Sequence, residues 1–190
     1  SSLSGLDFLF LIFVCLTFVV VVVFFFFLSK KTKTLRYPDM IVSLEDPFDR
    51  TDTASFKRLT EEMGENVQIA GDRLLSSHGP SIIAAQSQSQ CNAIVMRPSD
   101  IGTVSDAIRT CKMAQETGWG VIVAHNTGDT EDQFLADLVV GCCSGQLKCG
   151  AVTRSERTSK LNRLIRIEED CELAGTDCPY TGRRYRFPVG

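Results

Sequence analysis

From residue 40 onward the chain alternates short apolar runs with longer segments in which apolar residues recur every three or four positions. The first run, Met40-Ile41-Val42-Ser43-Leu44, stops at Glu45. Asp52 to Met63 then places Phe56, Leu59 and Met63 on one face, a spacing that predicts a helix with Gly64 as its stop. The second run is Val67-Gln68-Ile69-Ala70, with Asp72 just beyond it. Pro80 suits the first turn of a helix through Ile82, Ile83 and Ala85. The third run, Ala93-Ile94-Val95-Met96, ends at Arg97. After it, Val104, Ala107, Ile108 and Cys111 mark an amphipathic helix that Gly118 closes. The fourth, Gly120-Val121-Ile122-Val123, leads to His125. Thr130 and Gln133 then have the spacing of a capping box before Phe134, Leu135, Leu138 and Val139. The fifth run, Gly145-Gln146-Leu147, ends at Lys148, and a last helix carries Leu161, Leu164 and Ile165.

Glu45, Asp72, Arg97, His125 and Lys148 thus close five successive runs at intervals of 23 to 28 residues. That interval is one βα unit, and strands alternating with helices predict a parallel sheet. Ionisable groups at the C-terminal ends of successive strands are the pattern of a TIM-type barrel mouth. An open doubly wound sheet is the competing architecture, but it would not gather five strand ends at one point. No glycine-rich dinucleotide fingerprint follows a strand, since Gly118-Trp119-Gly120 precedes one. The expected fold is therefore α/β, a partial TIM-type barrel of about five βα units. Five units do not close an eight-stranded barrel. A fragment, a partner, or an apolar plug would each answer that, and the fragment reading is adopted.

The N-terminal part does not fit this pattern. Residues 8 to 28, FLFLIFVCLTFVVVVVFFFFL, contain no charge, Gly or Pro. Such a stretch is long enough to span the roughly 30 Å hydrocarbon core as a helix. Lys30, Lys31 and Lys33 follow it and would place the remainder in the cytoplasm. A cleaved signal peptide fits less well, because no basic segment precedes it and no small-residue cleavage site follows. The Val and Phe repeats are also what T-rich non-coding DNA, as before a splice acceptor, would translate to. A membrane helix and such a translated stretch stand as equal readings. The domain division is then 1–34, an apolar N-terminal segment, and 35–190, an incomplete barrel domain.

Composition removes some classes. A formal net charge of -3 argues against nucleic acid as a partner. The eight cysteines contain no C-x-x-C pair and only two histidines accompany them, so a zinc cluster has little support. Reduced thiols in a cytosolic chain, several inside apolar runs, are the expectation.

The strand ends carry longer motifs. Tyr37-Pro38 followed by Val42-Ser43-Leu44-Glu45-Asp46-Pro47-Phe48-Asp49 resembles the enolase segment YP-(V/I)-V-S-I-E-D-P-F-D, with two extra residues after the proline. Ala70-Gly71-Asp72, Ile101-Gly102-Thr103-Val104, Gly118-Trp119-Gly120-Val121 and the run HNTGDTED from His125 to Asp132 are similar to enolase motifs in the same order. So are Ala136-Asp137-Leu138-Val139-Val140-Gly141, Arg154-Ser155-Glu156-Arg157 and Arg166-Ile167-Glu168-Glu169. The resemblance covers roughly residues 35 to 175, the C-terminal barrel portion of enolase, and leaves out the last dozen or so residues.

The resemblance implies a phosphopyruvate hydratase. That enzyme is a cytoplasmic carbon-oxygen lyase of glycolysis that converts 2-phosphoglycerate to phosphoenolpyruvate with Mg²⁺, usually as a homodimer. The proton to be removed lies beside a carboxylate, so the added negative charge needs metal stabilisation and a lysine base. Glu45 and Asp72 match two of the family's three metal carboxylates. The third has no counterpart in the matching residues. Lys148 matches the lysine that binds the substrate carboxylate, and His125 the active-site histidine. Asn126 and Thr127 stand where the family has Arg and Ser on the phosphate loop. Thr keeps a hydroxyl, whereas Asn cannot form a guanidinium–phosphate fork. Arg97 stands at the position of the base lysine. A guanidinium stays protonated in proteins, so Arg97 can neutralise an anion but cannot abstract a proton.

Plainer readings accompany each residue. Glu45-Asp46-Pro47 could be a loop start, Asp72 a surface ion pair, His125 a satisfied strand-end histidine and Lys148 a solvated lysine. Arg97 could be a buried ion-pairing residue beside remnant acids. Arg183, Arg184 and Arg186 read as a solvated tail.

Overall fold

The structure is a computed structural model that describes residues 41–76 and 79–188. The apolar segment 8–28, Tyr37-Pro38 and His78 lie outside the described residues. Among the described residues five strands and six α-helices follow one another, each strand followed by a helix as expected and β3 by two: β1 Ser43–Glu45, α1 Thr53–Met63, β2 Gln68–Gly71, α2 Gly79–Ser87, β3 Ala93–Met96, α3 Pro98–Ile101, α4 Val104–Glu116, β4 Gly120–Ala124, α5 Phe134–Gly141, β5 Gly145–Lys148 and α6 Ser155–Leu173. All neighbouring strands pair in parallel, in the order β1-β2-β3-β4-β5.

Alternation of side chains along the strands decides between the two architectures. One set, Leu44, Ile69, Ile94, Met96, Val121 and Val123, packs with Phe56 and Leu59 of α1, Ile82 of α2, Ala107 and Cys111 of α4, and Leu135 and Leu138 of α5. The other set, Ala70, Ala93, Val95, Ile122 and Ala124, packs among itself. The helices therefore cover one face only, whereas a doubly wound sheet would carry them on both. The sheet also curls. Across a flat sheet β1 and β5 would lie about 19 Å apart. Instead Lys148 Nζ is 2.5 Å from Glu45 Oε1, and Gln146 Oε1 accepts from Gln68 Nε2 at 2.8 Å. Small residues on the concave face permit that curvature, and the result is a half-barrel of five βα units.

Several boundaries differ from expectation. β1 begins at Ser43, and β2 is shifted by one residue toward Gly71. α3 is an unforeseen single turn, started by Pro98 at its first position and ended by Gly102 at φ 100°. The capping box at Thr130 and Gln133 does not form. Gln133 makes no side-chain cap bond, and Asp132 Oδ1 instead accepts from Phe134 N at 2.7 Å. Thr130 Oγ1 is engaged with Asp132 N, one turn too early to cap the helix. By contrast Asp52 caps α1, accepting from Ser55 N at 3.1 Å.

The C-terminal tail is not merely solvated. It passes the beginning of β5, where Gly145 at φ 73° leaves no room for a Cβ, because Tyr185 O would lie 2.7 Å from it. Tyr185 Oη then donates to Val42 O at 2.8 Å, and Arg186 donates to Gly64 O and Glu65 O, both at 3.3 Å. The tail thus links the first residues of β5 to those of β1, at the end of the sheet opposite the charged strand ends. Arg186 is a hydrogen-bonded part of that link, which corrects its assignment to a solvated tail.

The described cysteines are free thiols. Cys91, Cys111 and Cys149 are buried, whereas Cys143 and Cys178 are exposed. Burial pushes the Cys91 and Cys111 thiols up to about 12. Among the described residues no helix is long and apolar enough to cross a membrane.

Candidate active site

The five strand ends open on one side of the sheet, and four of their side chains form a single network. Asp72, just past β2, accepts both guanidinium nitrogens of Arg97, one on each carboxylate oxygen. Lys148 Nζ, at the end of β5, bonds Glu45 Oε1 and lies 3.8 Å from Asp72 Oδ2. Arg97 Nη1 is also 3.9 Å from Asp100 Oδ2. The Arg97 and Asp72 side chains are only 17% and 12% exposed, so the pair is largely withdrawn from water.

Burial alone pushes Asp72 up, but the Arg97 fork and the Lys148 charge together outweigh it and hold its carboxyl below the usual range. Glu45 is raised. Its desolvation exceeds what Lys148 returns, and the neighbouring Asp72 charge adds to the rise. The two shifts have opposite consequences for stability. A raised native pKa means that folding binds a proton between the unfolded and native values, so the contribution of Glu45 weakens as pH rises through that window. Relative to Glu45→Gln, the wild-type chain is therefore expected to gain stability as pH falls through the raised native value, levelling off below the ordinary value of 4.5. Asp72 acts in the other direction: its contribution is lost only as pH falls below its ordinary 3.8. Urea unfolding of the two proteins across pH checks this, and a pH-independent difference would contradict it.

His125, Asn126 and Thr127 stand apart from the network. They line an adjacent hollow of about 330 Å³ together with Ser99, Asp129 and Lys160. The His125 backbone N–H donates to Lys148 O at 3.3 Å, which ties the β4 end to the β5 end. The side-chain amide of Asn126 uses its nitrogen on Ser99 Oγ at 2.9 Å and on Asp100 Oδ1 at 2.8 Å. Asp100 therefore touches both groups, through Arg97 and through Asn126.

Asp100 and Asp46 are among the residues of this arrangement that the sequence does not single out. Asp100 lies in the unforeseen turn α3. Asp46 adopts φ 43°, and its carboxylate accepts from Asp72 N at 2.9 Å and Arg73 N at 2.8 Å, which fixes the loop that presents Asp72. The signal was available, because Asp tolerates the left-handed region and bonds nearby backbone, but the same signal reads as an ordinary turn.

The family described as "Enolase, C-terminal TIM barrel domain" matches residues 28–189. The chain belongs to that family. The match includes the tail, which extends the resemblance beyond the span of 35 to 175 read from the motifs. An enolase of Eimeria tenella is 49% identical over 148 residues, covering 78% of this chain and 33% of the relative. An enolase of Solanum lycopersicum is 45% identical over 159 residues, covering 84% of this chain and 35% of the relative. The chain thus spans about a third of the length of the curated relatives it matches.

Proposed function

We propose that this chain is an enolase-type barrel segment derived from a phosphopyruvate hydratase, carrying much of that site yet turning over little or no substrate by itself. Its ligand class is the pair 2-phosphoglycerate and phosphoenolpyruvate, and its setting is the cytoplasm. The reading is carried by one observation: the guanidinium at the base position is forked onto both oxygens of Asp72.

Each residue can be weighed for what it does. Lys148 is the group to receive a substrate carboxylate, and its ammonium must exchange Glu45 for it. Arg97 supplies positive charge near a bound anion but accepts no proton. Asn126 must give up Ser99 or Asp100 to reach a phosphate oxygen. Thr127 retains a hydroxyl that can donate.

Magnesium, which would stabilise the charge developed on proton removal, does not fit the donors present. Glu45 and Asp72 are the candidate ligands, and each already holds a cation. Among the described residues no three His, Cys, Asp or Glu side chains converge as a metal site. A hard octahedral ion needs oxygen donors that are open to it, and these two are engaged by Lys148 and Arg97. The same lock favours a second reading, a non-catalytic enolase-like binding protein. Membrane attachment in that reading requires residues 8–28, and homodimerisation follows only from the family. Following phosphoenolpyruvate formation from 2-phosphoglycerate by the purified chain tests the proposal; turnover at the rate of a full-length enolase would overturn it.

A further inference from the structure

The hollow beside His125 contains a group that none of the strand-end reasoning used. Lys160, in the second turn of α6, is a lysine whose side chain is only 1% exposed. Its Nζ donates to two backbone carbonyls and forms an ion pair with a carboxylate. Glu156 O lies at 2.8 Å, Thr130 O at 2.9 Å and Asp129 Oδ2 at 3.1 Å. An ammonium removed from water costs several kcal/mol unless it is fully paired in this way. Two of the three acceptors belong to the loop between β4 and α5, so the ammonium clamps that loop to the start of α6.

The clamp sets the surroundings of one ring nitrogen. The same Asp129 Oδ2 that faces Lys160 also stands 3.7 Å from His125 Nδ1, while Oδ1 accepts from Thr130 N at 2.9 Å. That nitrogen is buried and has no hydrogen-bond partner among the described residues. An unprotonated Nδ1 would point its lone pair at a carboxylate, whereas an Nδ1–H faces it favourably. A free neutral imidazole prefers its proton on Nε2, so the loop must impose the opposite choice. Which nitrogen carries the proton is set by what the other faces.

We propose that Lys160 is a positioning residue for His125: through Asp129 it holds the neutral imidazole as the Nδ1–H tautomer, leaving Nε2 as the proton-accepting nitrogen. The importance of that tautomer rests on His125 belonging to the site described above, but its existence does not.

Imidazole ¹⁵N shifts of the full chain report the tautomer directly, and do so without turnover. The chain has two histidines, so His78→Gln leaves a single ring to read. For the neutral ring the expected result is a protonated Nδ1 and an unprotonated Nε2. Asp129→Ala and Lys160→Met are each expected to move the proton predominantly to Nε2. Where Lys160→Met does not fold, Lys160→Gln decides, since its amide can still serve the Thr130 and Glu156 carbonyls while lacking the charge that holds Asp129. An Nε2–H ring in the wild-type chain would overturn the proposal. So would an Nδ1–H ring that persists in Asp129→Ala and Lys160→Gln. A chain with the expected tautomer and full hydratase turnover would contradict the proposed function and leave this inference standing.

Discussion

Asp72→Ala is expected to destabilise the chain by about 3 kcal/mol, the lower end of the cost of breaking a buried ion pair. The removed carboxylate engages both guanidinium nitrogens of Arg97 and lies 3.8 Å from Lys148 Nζ. Without it Lys148 keeps Glu45, and Arg97 loses its bidentate partner and keeps Asp100 at 3.9 Å. Arg97, 17% exposed, has little water to turn to. The cost arises from leaving a largely buried charge less well paired rather than from losing an attraction, and that distinction can be measured. Replacing both partners by apolar residues, Asp72→Leu with Arg97→Met, is expected to recover most of the loss, because an apolar pair of similar volume avoids the desolvation. Urea unfolding of the single and double variants checks it. A single-variant loss well under about 1 kcal/mol, the size expected for exposed pairs, would mean that the pair behaves as a surface contact.

The second large effect concerns chemistry. A general base contributes typically ~10²–10⁴-fold, and Arg97, which we propose stands at the base position, is a guanidinium whose pKa is raised further, chiefly by its hydrogen bonds to Asp72. Phosphoenolpyruvate formation is therefore expected to be at least ~10²-fold slower than that of a full-length enolase assayed in parallel. Arg97→Lys alone is not expected to restore it. A lysine there would still lie beside Asp72 and Lys148, and the proposed metal donors would remain two carboxylates. Wild-type turnover within tenfold of a full-length enzyme would show that some other group removes the proton.

Much of this was legible in the chain, for reasons that differ by residue. The five apolar runs and the ionisable residue after each define the strand ends, because a strand must stop where a charge needs solvent or a partner. Glu45, Asp72, Arg97 and Lys148 come together since parallel strands of one curved sheet bring their C-terminal ends to one side. Curvature itself was not readable from any single run. It follows from the small residues Ala70, Ala93 and Ala124 sharing one face, a fact that needs the register. Thr130 and Gln133 have capping-box spacing, but the loop that Lys160 clamps ends differently and hands the cap to Asp132. The tail was misjudged because Tyr185 and Arg186 bond backbone carbonyls more than 120 residues earlier. Such bonds leave no local pattern. The division of the strand-end groups into an ion-paired network and a separate His125 hollow was likewise invisible, since it depends on Asp100 in a turn that only Pro98 and Gly102 hint at.

The central claim is that the acids at the strand ends are already neutralised by the chain's own cations, and calorimetric titration of Mg²⁺ in the presence of 2-phosphoglycerate tests it most directly. The account expects no saturable Mg²⁺ binding by the wild-type chain at millimolar metal. Tight, stoichiometric uptake by that same chain would show that Arg97 and Lys148 give way to the metal, and the account would be wrong.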